Sequence, residues 1–273
     1  MTDLLAAAPA DRAALRRLKG LGFADPAGAL RNLHALTPTP REAELLAPAL
    51  PRLLAELAAA PDPDMALNNL ERLASQSERA TFLRLLGAHP GAIPLLARLG
   101  GTSQFLADTL RRYPTLLPWL LEPRTMRQWL ADEMAEDLGA SLKVFERPEA
   151  RLNVLRRFKY RQLLRIGSRD ILGDADLTVT TEELSHMADV CLAAAWDWAR
   201  ERLERLYGAP LDADGRPTGL VIIGMGKLGG EELNYSSDID PIFVYGEDGE
   251  TAGGESGRIA NGDFFAQIGR AHV

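Results

Sequence analysis

Residues 219–246, GLVIIGMGKLGGEELNYSSDIDPIFVYG, hold two apolar runs on either side of a glycine-rich turn. Leu220-Val221-Ile222-Ile223 is short and rich in β-branched residues, which reads as a buried strand. Four glycines follow within seven residues, at Gly224, Gly226, Gly229 and Gly230. Ile239 to Tyr245 reads as a second strand, with Asp238 just before it and Asp240 within it. Side chains alternate along a strand, so carboxylates at i and i+2 project from one face toward one point. Two carboxylates aimed together repel unless a cation sits between them, and hard oxygen donors suit Mg²⁺. Glycines after the first strand let the backbone approach phosphates closely and turn its N–H groups toward them. A phosphate cradle followed by a paired-carboxylate metal site is the chemistry of nucleotidyl transfer. Asp238 and Asp240 are the candidate catalytic and metal-binding residues. Gly226, Lys227, Gly229 and Gly230 are the candidate nucleotide-binding residues, with Ser237 as an additional donor.

Ten residues separate the Gly226-Lys227 pair from Asp238. That spacing resembles the polymerase-β-type nucleotidyltransferase signature, a glycine followed by Gly or Ser, about ten residues, then Asp-x-Asp. The longer string GMGKLGGEELNYSSDID is more specific and is similar to the glutamine synthetase adenylyltransferase family, whose usual form is GMGKLGGRELNxSSDIDLIF. Glu231 stands where that family has Arg, and Pro241 where it has Leu. Pro241 lacks an N–H and would remove one ladder hydrogen bond from the second strand. A glycine cluster alone is most often a turn, and Asp-x-Asp alone a solvated strand end; strand–glycine–strand order favours the chemical reading. GMGKLGG is not a Walker A loop, because Leu228 occupies the position of the required hydroxyl.

Composition narrows the class. A hydrophobic share of 46% with 25% charged residues is that of an ordinary soluble globular chain. A net charge of −7 argues against a nucleic-acid partner. No run of about 18 apolar residues could cross a bilayer, and no signal peptide opens the chain. The single cysteine, Cys191, excludes an intramolecular disulfide and points to a reducing, cytoplasmic setting. Its place on an apolar helical stripe makes it a core residue. The four histidines, at 34, 89, 186 and 272, show no metal-ligand spacing, so Asp238 and Asp240 have no rival as a metal site.

The fold expected is α+β and predominantly α-helical. A helical array over 1–150 precedes an incomplete polymerase-β-type nucleotidyltransferase core with a small β-sheet over 151–273, truncated at its C-terminus. Leu4 to Gly20 reads as one helix. Breaks fall at Asp25-Pro26, Thr37-Pro38-Thr39-Pro40 and Pro61-Asp62-Pro63-Asp64. Leu67, Leu70, Leu73 and Ala74 recur at helical spacing, and shorter apolar helices follow at Thr81–Leu86 and Ile93–Leu99. Gly100-Gly101-Thr102-Ser103 reads as the break before the next helix, with Ser103 its N-cap. Trp119 and Trp129 read as helix-packing residues. GTSQFLADTLRRYPTLLPWLLEP resembles the helical region that precedes the catalytic domain in the same family.

Arg151 to Ile171 reads as a helix with an apolar stripe and a basic face of Arg156, Arg157, Lys159, Arg161, Arg165 and Arg169. That face is either solvated or lends one or two arginines to substrate phosphates. LRRFKYRQLLRIGSRDILG resembles the family's LRRFR-x-x-x-x-LRI-x-x-RD-x-x-G segment, whose pattern Arg165, Arg169 and Asp170 match without a role being assigned to them. Thr180-x-x-Glu183 reads as a capping box opening the next helix, with Leu184, Met187, Ala188, Cys191, Ala195 and Trp198 as its apolar stripe. GEDGETAGGESGRIANGD reads as a surface loop or a disordered segment, and Phe264-Phe265-Ala266 as the start of a helix.

The family resemblance implies a bifunctional enzyme with two nucleotidyltransferase halves. One transfers AMP from ATP to a tyrosine of glutamine synthetase, and the other removes it by phosphorolysis, releasing ADP. The motif lies behind one helical region that starts at Met1, which suggests the deadenylylating half. Mg²⁺ is the implied cofactor, ATP, ADP and phosphate the substrates, and glutamine synthetase the partner, with a PII-type nitrogen-signalling protein as a further one. The resemblance also implies a third carboxylate, in a Val-Asp-x-Arg-Leu-Arg-Pro-like segment that this chain lacks. Residues 268–273 resemble a translated sequencing adapter. The chain is therefore expected to be an N-terminal fragment, inactive by itself. A different polymerase-β-type nucleotidyltransferase and a non-catalytic regulatory module remain alternatives at this point.

Overall fold

The computed structural model describes residues 3–145 and 147–270. Its chain divides into two compact units, one of residues Met1–Arg127 with Tyr160–Asp176, the other of Gln128–Lys159 with Leu177–Val273.

Among the described residues, the first unit opens with ten short helices: α1 (Asp3–Ala6), α2 (Arg12–Gly20), α3 (Pro26–Leu36), α4 (Pro40–Leu46), α5 (Leu50–Ala58), α6 (Pro63–Ser75), α7 (Arg79–Ala88), α8 (Ala92–Thr102), α9 (Gln104–Arg112) and α10 (Leu116–Leu120). Three start in the same way: Asp25, Thr39 and Asp62 cap the backbone of α3, α4 and α6, each followed by a proline in the first helical position. Proline lacks only an N–H that a helix start leaves unpaired, so the expected breaks are helix starts. The segment Leu4–Gly20 is two helices rather than one. Asp11 ends the intervening turn by accepting from the N–H groups of Ala13 and Ala14 at 2.7 and 3.1 Å, which begins α2 afresh.

Leu67, Leu70, Leu73 and Ala74 are all buried, as their spacing requires. Each buried leucine stabilises the unit by about 2 kcal/mol. Gly100 and Gly101 correct the reading of a helix break, since both lie inside the last turn of α8. A Cβ at Gly101 would stand 2.9 Å from the Asp62 carbonyl oxygen and 3.0 Å from the Ala60 Cβ. The glycines let α8 press against α6 and the turn before it. Asn69 fixes the same seam, donating to the Gly100 carbonyl at 2.9 Å and to the Gln104 side chain at 3.1 Å. Ser103 caps α9 through the Leu106 N–H, as expected.

Helix α12 (Pro148–Leu172) gives residues 148–159 to the second unit and 160–172 to the first. Its basic face is not uniformly solvated. Residues 162–169 are all buried, among them Arg165 at 0% and Arg169 at 5% exposure. Arg165 donates to the Gln162 side chain and to the Arg127 carbonyl, both at 2.7 Å. The Arg161 guanidinium lies over the Trp119 ring, 5.2 Å from its centroid.

The second unit adds α11 (Ala131–Leu142), α13 (Leu177–Tyr207), α14 (Gly226–Gly229), α15 (Asn261–Arg270) and two strands, β1 (Leu220–Gly224) and β2 (Pro241–Tyr245). Helix α13 begins three residues before Thr180, so the expected capping box lies inside it. Thr180 and Glu183 are both buried, and Glu183 accepts from the Trp129 N–H at 2.9 Å. The carboxylate therefore anchors the segment leading into α11 instead of capping α13. The strands pair antiparallel, Leu220 opposite Tyr245 and Gly224 opposite Pro241. At one end, Leu220 and Tyr245 pack against Phe264, Phe265, Ala199 and Leu203. Tyr245 stacks on Phe265 at 5.3 Å. Elsewhere the sheet is bare, with Val221, Ile223, Ile242, Phe243 and Val244 each at least 40% exposed.

The segment 246–260 is an ordered loop leading into α15. Bridges pair Pro210 with Thr251 and Glu250 with Ala260. The Asn261 amide donates to the carbonyls of Leu211 and Glu247. The helix read at Phe264 is α15. Of the six residues resembling an adapter, Ala271, His272 and Val273 lie outside the described residues.

Candidate functional site

The antiparallel register assembles the site. Beyond the paired Gly224 and Pro241, the Met225 N–H donates to the Asp240 carbonyl at 3.0 Å, extending the ladder by one bond. The glycine turn that leaves β1 and the Asp238-Ile239-Asp240 segment that enters β2 therefore share the end of the sheet opposite the aromatic cluster. Strand β2 starts at Pro241, so Asp240 sits just outside it rather than within it. Proline at the first strand position gives up only its own donor there. Asp238 and Asp240 are both exposed.

The turn itself is the four-residue helix α14. Gly226 adopts φ 55° and Glu231 φ 56°, left-handed values at both ends of the turn. Leu228 is buried and packs where a Cβ on Gly224 would stand. The N–H groups of Gly229, Gly230, Glu231 and Glu232 bond back to Met225, Gly226, Leu228 and Lys227. Those of Gly226, Lys227 and Leu228 open the helix and have no partner within it. Lys227 is exposed at this point of the turn.

Two residues that hold the site were missed in the sequence. Asn234 accepts from the Ser236 N–H, the Ser236 hydroxyl and, at 2.7 Å, the Ser237 hydroxyl. The Ser237 proton is thus directed into the turn that delivers Asp238. An Asn followed two and three residues later by serines is the readable signal for such a turn. Ser185, fully buried on α13, accepts from the Leu233 N–H at 3.2 Å and donates to the Thr181 carbonyl. No local pattern marks a partner 48 residues away.

A second cluster revises the view that the carboxylate pair has no rival. Glu182, His186 and Glu231 bring one ligand atom each within 4.8 Å of one another. The four-residue spacing of Glu182 and His186 was visible, but Glu231 joins them only in three dimensions. Cys191 is half-buried rather than a full core residue, and burial pushes its thiol up to about 11 against the opposing pull of Lys159.

The family model described as glutamate–ammonia ligase adenylyltransferase matches residues 93–272. The chain belongs to the glutamate–ammonia ligase adenylyltransferase family. Curated relatives bear the name bifunctional glutamine synthetase adenylyltransferase/adenylyl-removing enzyme. One from Shewanella loihica is 39% identical over 178 residues, covering 65% of this chain and 18% of the relative. One from Pseudomonas putida is 33% identical over 277 residues, covering 95% of this chain and 28% of the relative. The chain thus spans under a third of the length of these adenylyltransferases. The family match takes in both strands, the glycine turn and the Asp238–Asp240 pair. No described helix is long and apolar enough to cross a membrane.

Proposed function

We propose that this chain carries one nucleotidyltransferase site of a bifunctional glutamine synthetase adenylyltransferase/deadenylylase, with residues 151–273 holding its core. The observation that carries this reading is the Met225–Asp240 backbone bond, which puts the glycine turn and the two carboxylates at one end of the sheet. Relatives named for both activities support it.

The residues divide the work by chemistry. Asp238 and Asp240 offer exposed hard oxygens, a donor set that fits Mg²⁺. Bound there, Mg²⁺ supplies charge stabilisation at the phosphoryl group being transferred. The free N–H groups of Gly226, Lys227 and Leu228 present donors to phosphate oxygens. Gly229 and Gly230 shape the turn, Gly229 by letting it close against the Gly224 carbonyl. Lys227 supplies positive charge, and Asn234 and Ser237 hold the loop that aims Asp238. The acceptor or leaving group is a tyrosine of glutamine synthetase, and phosphorolysis, releasing ADP, is the direction we favour. The setting is cytoplasmic, with a PII-type nitrogen-signalling protein as a regulatory partner.

Calorimetric titration of the chain with ATP and with ADP, with and without Mg²⁺, tests the site. Binding that needs Mg²⁺ and disappears in Asp238→Asn/Asp240→Asn is expected. Unchanged binding in a folded double variant would sink the metal assignment, and no nucleotide binding in either protein would favour a purely regulatory module.

A further inference from the structure

The Glu182–His186–Glu231 cluster is a mixed nitrogen and oxygen donor set. Glu182 and His186 lie four residues apart on α13, which places them on one face of the helix. Glu231 meets them from the turn after Gly230, and the three ligand atoms fall within 4.8 Å of one another. Yet the imidazole makes no hydrogen bond or ion pair among the described residues. Bonds of about 2.1 Å to a shared ion hold its ligand atoms about 3–4 Å apart. The 4.8 Å bound on the three ligand atoms lies close to that spacing.

The ligands are also held in place. Ser185, next to His186, ties down the Leu233 N–H two residues past Glu231. Leu184 and Met187, on either side of the Ser185–His186 pair, are buried and fix the rotation of α13. Gln128 donates to Glu182 at 3.4 Å, the kind of outer partner that orients a metal-binding carboxylate. Magnesium and calcium prefer oxygen-only shells, whereas one imidazole with two carboxylates suits zinc.

We propose that Glu182, His186 and Glu231 form a binding site for a divalent transition-metal ion, Zn²⁺ by preference, which clips the end of the glycine turn to α13. This site is separate from Asp238 and Asp240 and does not depend on the nucleotidyl-transfer reading.

The test is calorimetric titration of the metal-stripped 273-residue chain with Zn²⁺, beside His186→Ala, Glu231→Gln and Asp238→Asn/Asp240→Asn. Thermal melts are recorded by circular dichroism with and without Zn²⁺. A zinc site retained in the aspartate variant, and weakened at least tenfold in His186→Ala and Glu231→Gln, is expected. Zinc should raise the melting temperature of the unaltered chain and leave that of His186→Ala unmoved. Equal affinity in His186→Ala, loss of the site in the aspartate variant, or no zinc binding at all overturns the proposal. Should His186→Ala fail to fold, Glu231→Gln alters an exposed residue by charge only and carries the same comparison.

Discussion

The carbonyl oxygen of Gly224 occupies the space that a Cβ on Gly229 would need. This contact closes the glycine turn back onto the end of β1, and it separates the glycines into three kinds. Gly229 is required by space. Gly226 has open space around it but a left-handed φ of 55°. Gly230 has neither restriction, with φ −94° and only ordinary contacts.

Alanine substitutions should rank accordingly in urea unfolding. Gly229→Ala is expected to cost about 1–3 kcal/mol, because backbone must move. Gly226→Ala should cost about 1–2 kcal/mol from the left-handed conformation. Gly230→Ala should change stability by no more than about 0.5 kcal/mol.

Ser185→Ala should loosen the loop that follows the turn. The Leu233 N–H would lose its acceptor in a buried position, at about 1–2 kcal/mol. Hydrogen exchange should report faster exchange at Leu233 and its neighbours, with α2 to α9 unaffected.

Arg165 is predicted to be structural. Arg165→Ala leaves the Arg127 carbonyl and the Gln162 side chain without their donor in a buried site, and should cost about 3 kcal/mol. Arg165→Lys cannot reproduce the fork and should also be less stable. Nucleotide affinity per folded molecule, measured by calorimetry, should not change in either variant.

Cys191 should alkylate slowly at pH 8 in the native chain and quickly in denaturant. Its thiol is pushed up to about 11 from an ordinary 9.0, so the native rate with iodoacetamide should keep rising well past pH 9. The unfolded chain gives up this proton first. Stability should therefore be fully present below pH 9 and decline as pH climbs toward about 11.

The helix starts and the site string were legible because their signals are local. A capping side chain, a proline and a glycine turn each act within four residues. Gly100 and Gly101 were misjudged because what they accommodate, the Ala66 backbone and the Asp62 carbonyl, lies more than thirty residues away. Arg165 was read by charge, while its burial depends on acceptors that tertiary packing supplies. Thr180-x-x-Glu183 matched the capping pattern, but Glu183 had a better use in holding the Trp129 N–H. The same limit hid Glu231, whose partners on α13 are more than forty residues upstream.

The bare faces of β1 and β2 make ionic strength a working variable for this protein. Among the described residues, a two-stranded sheet with exposed Val221, Ile223, Phe243 and Val244 offers unpaired edges and apolar surface to other copies. The net charge of −7 opposes that association. Salt shortens the reach of that repulsion to about 10 Å at 0.1 M. Sulfate goes further by strengthening apolar adhesion. The chain should stay dispersed in dilute buffer and associate as salt is added, the reverse of a protein held together by ion pairs.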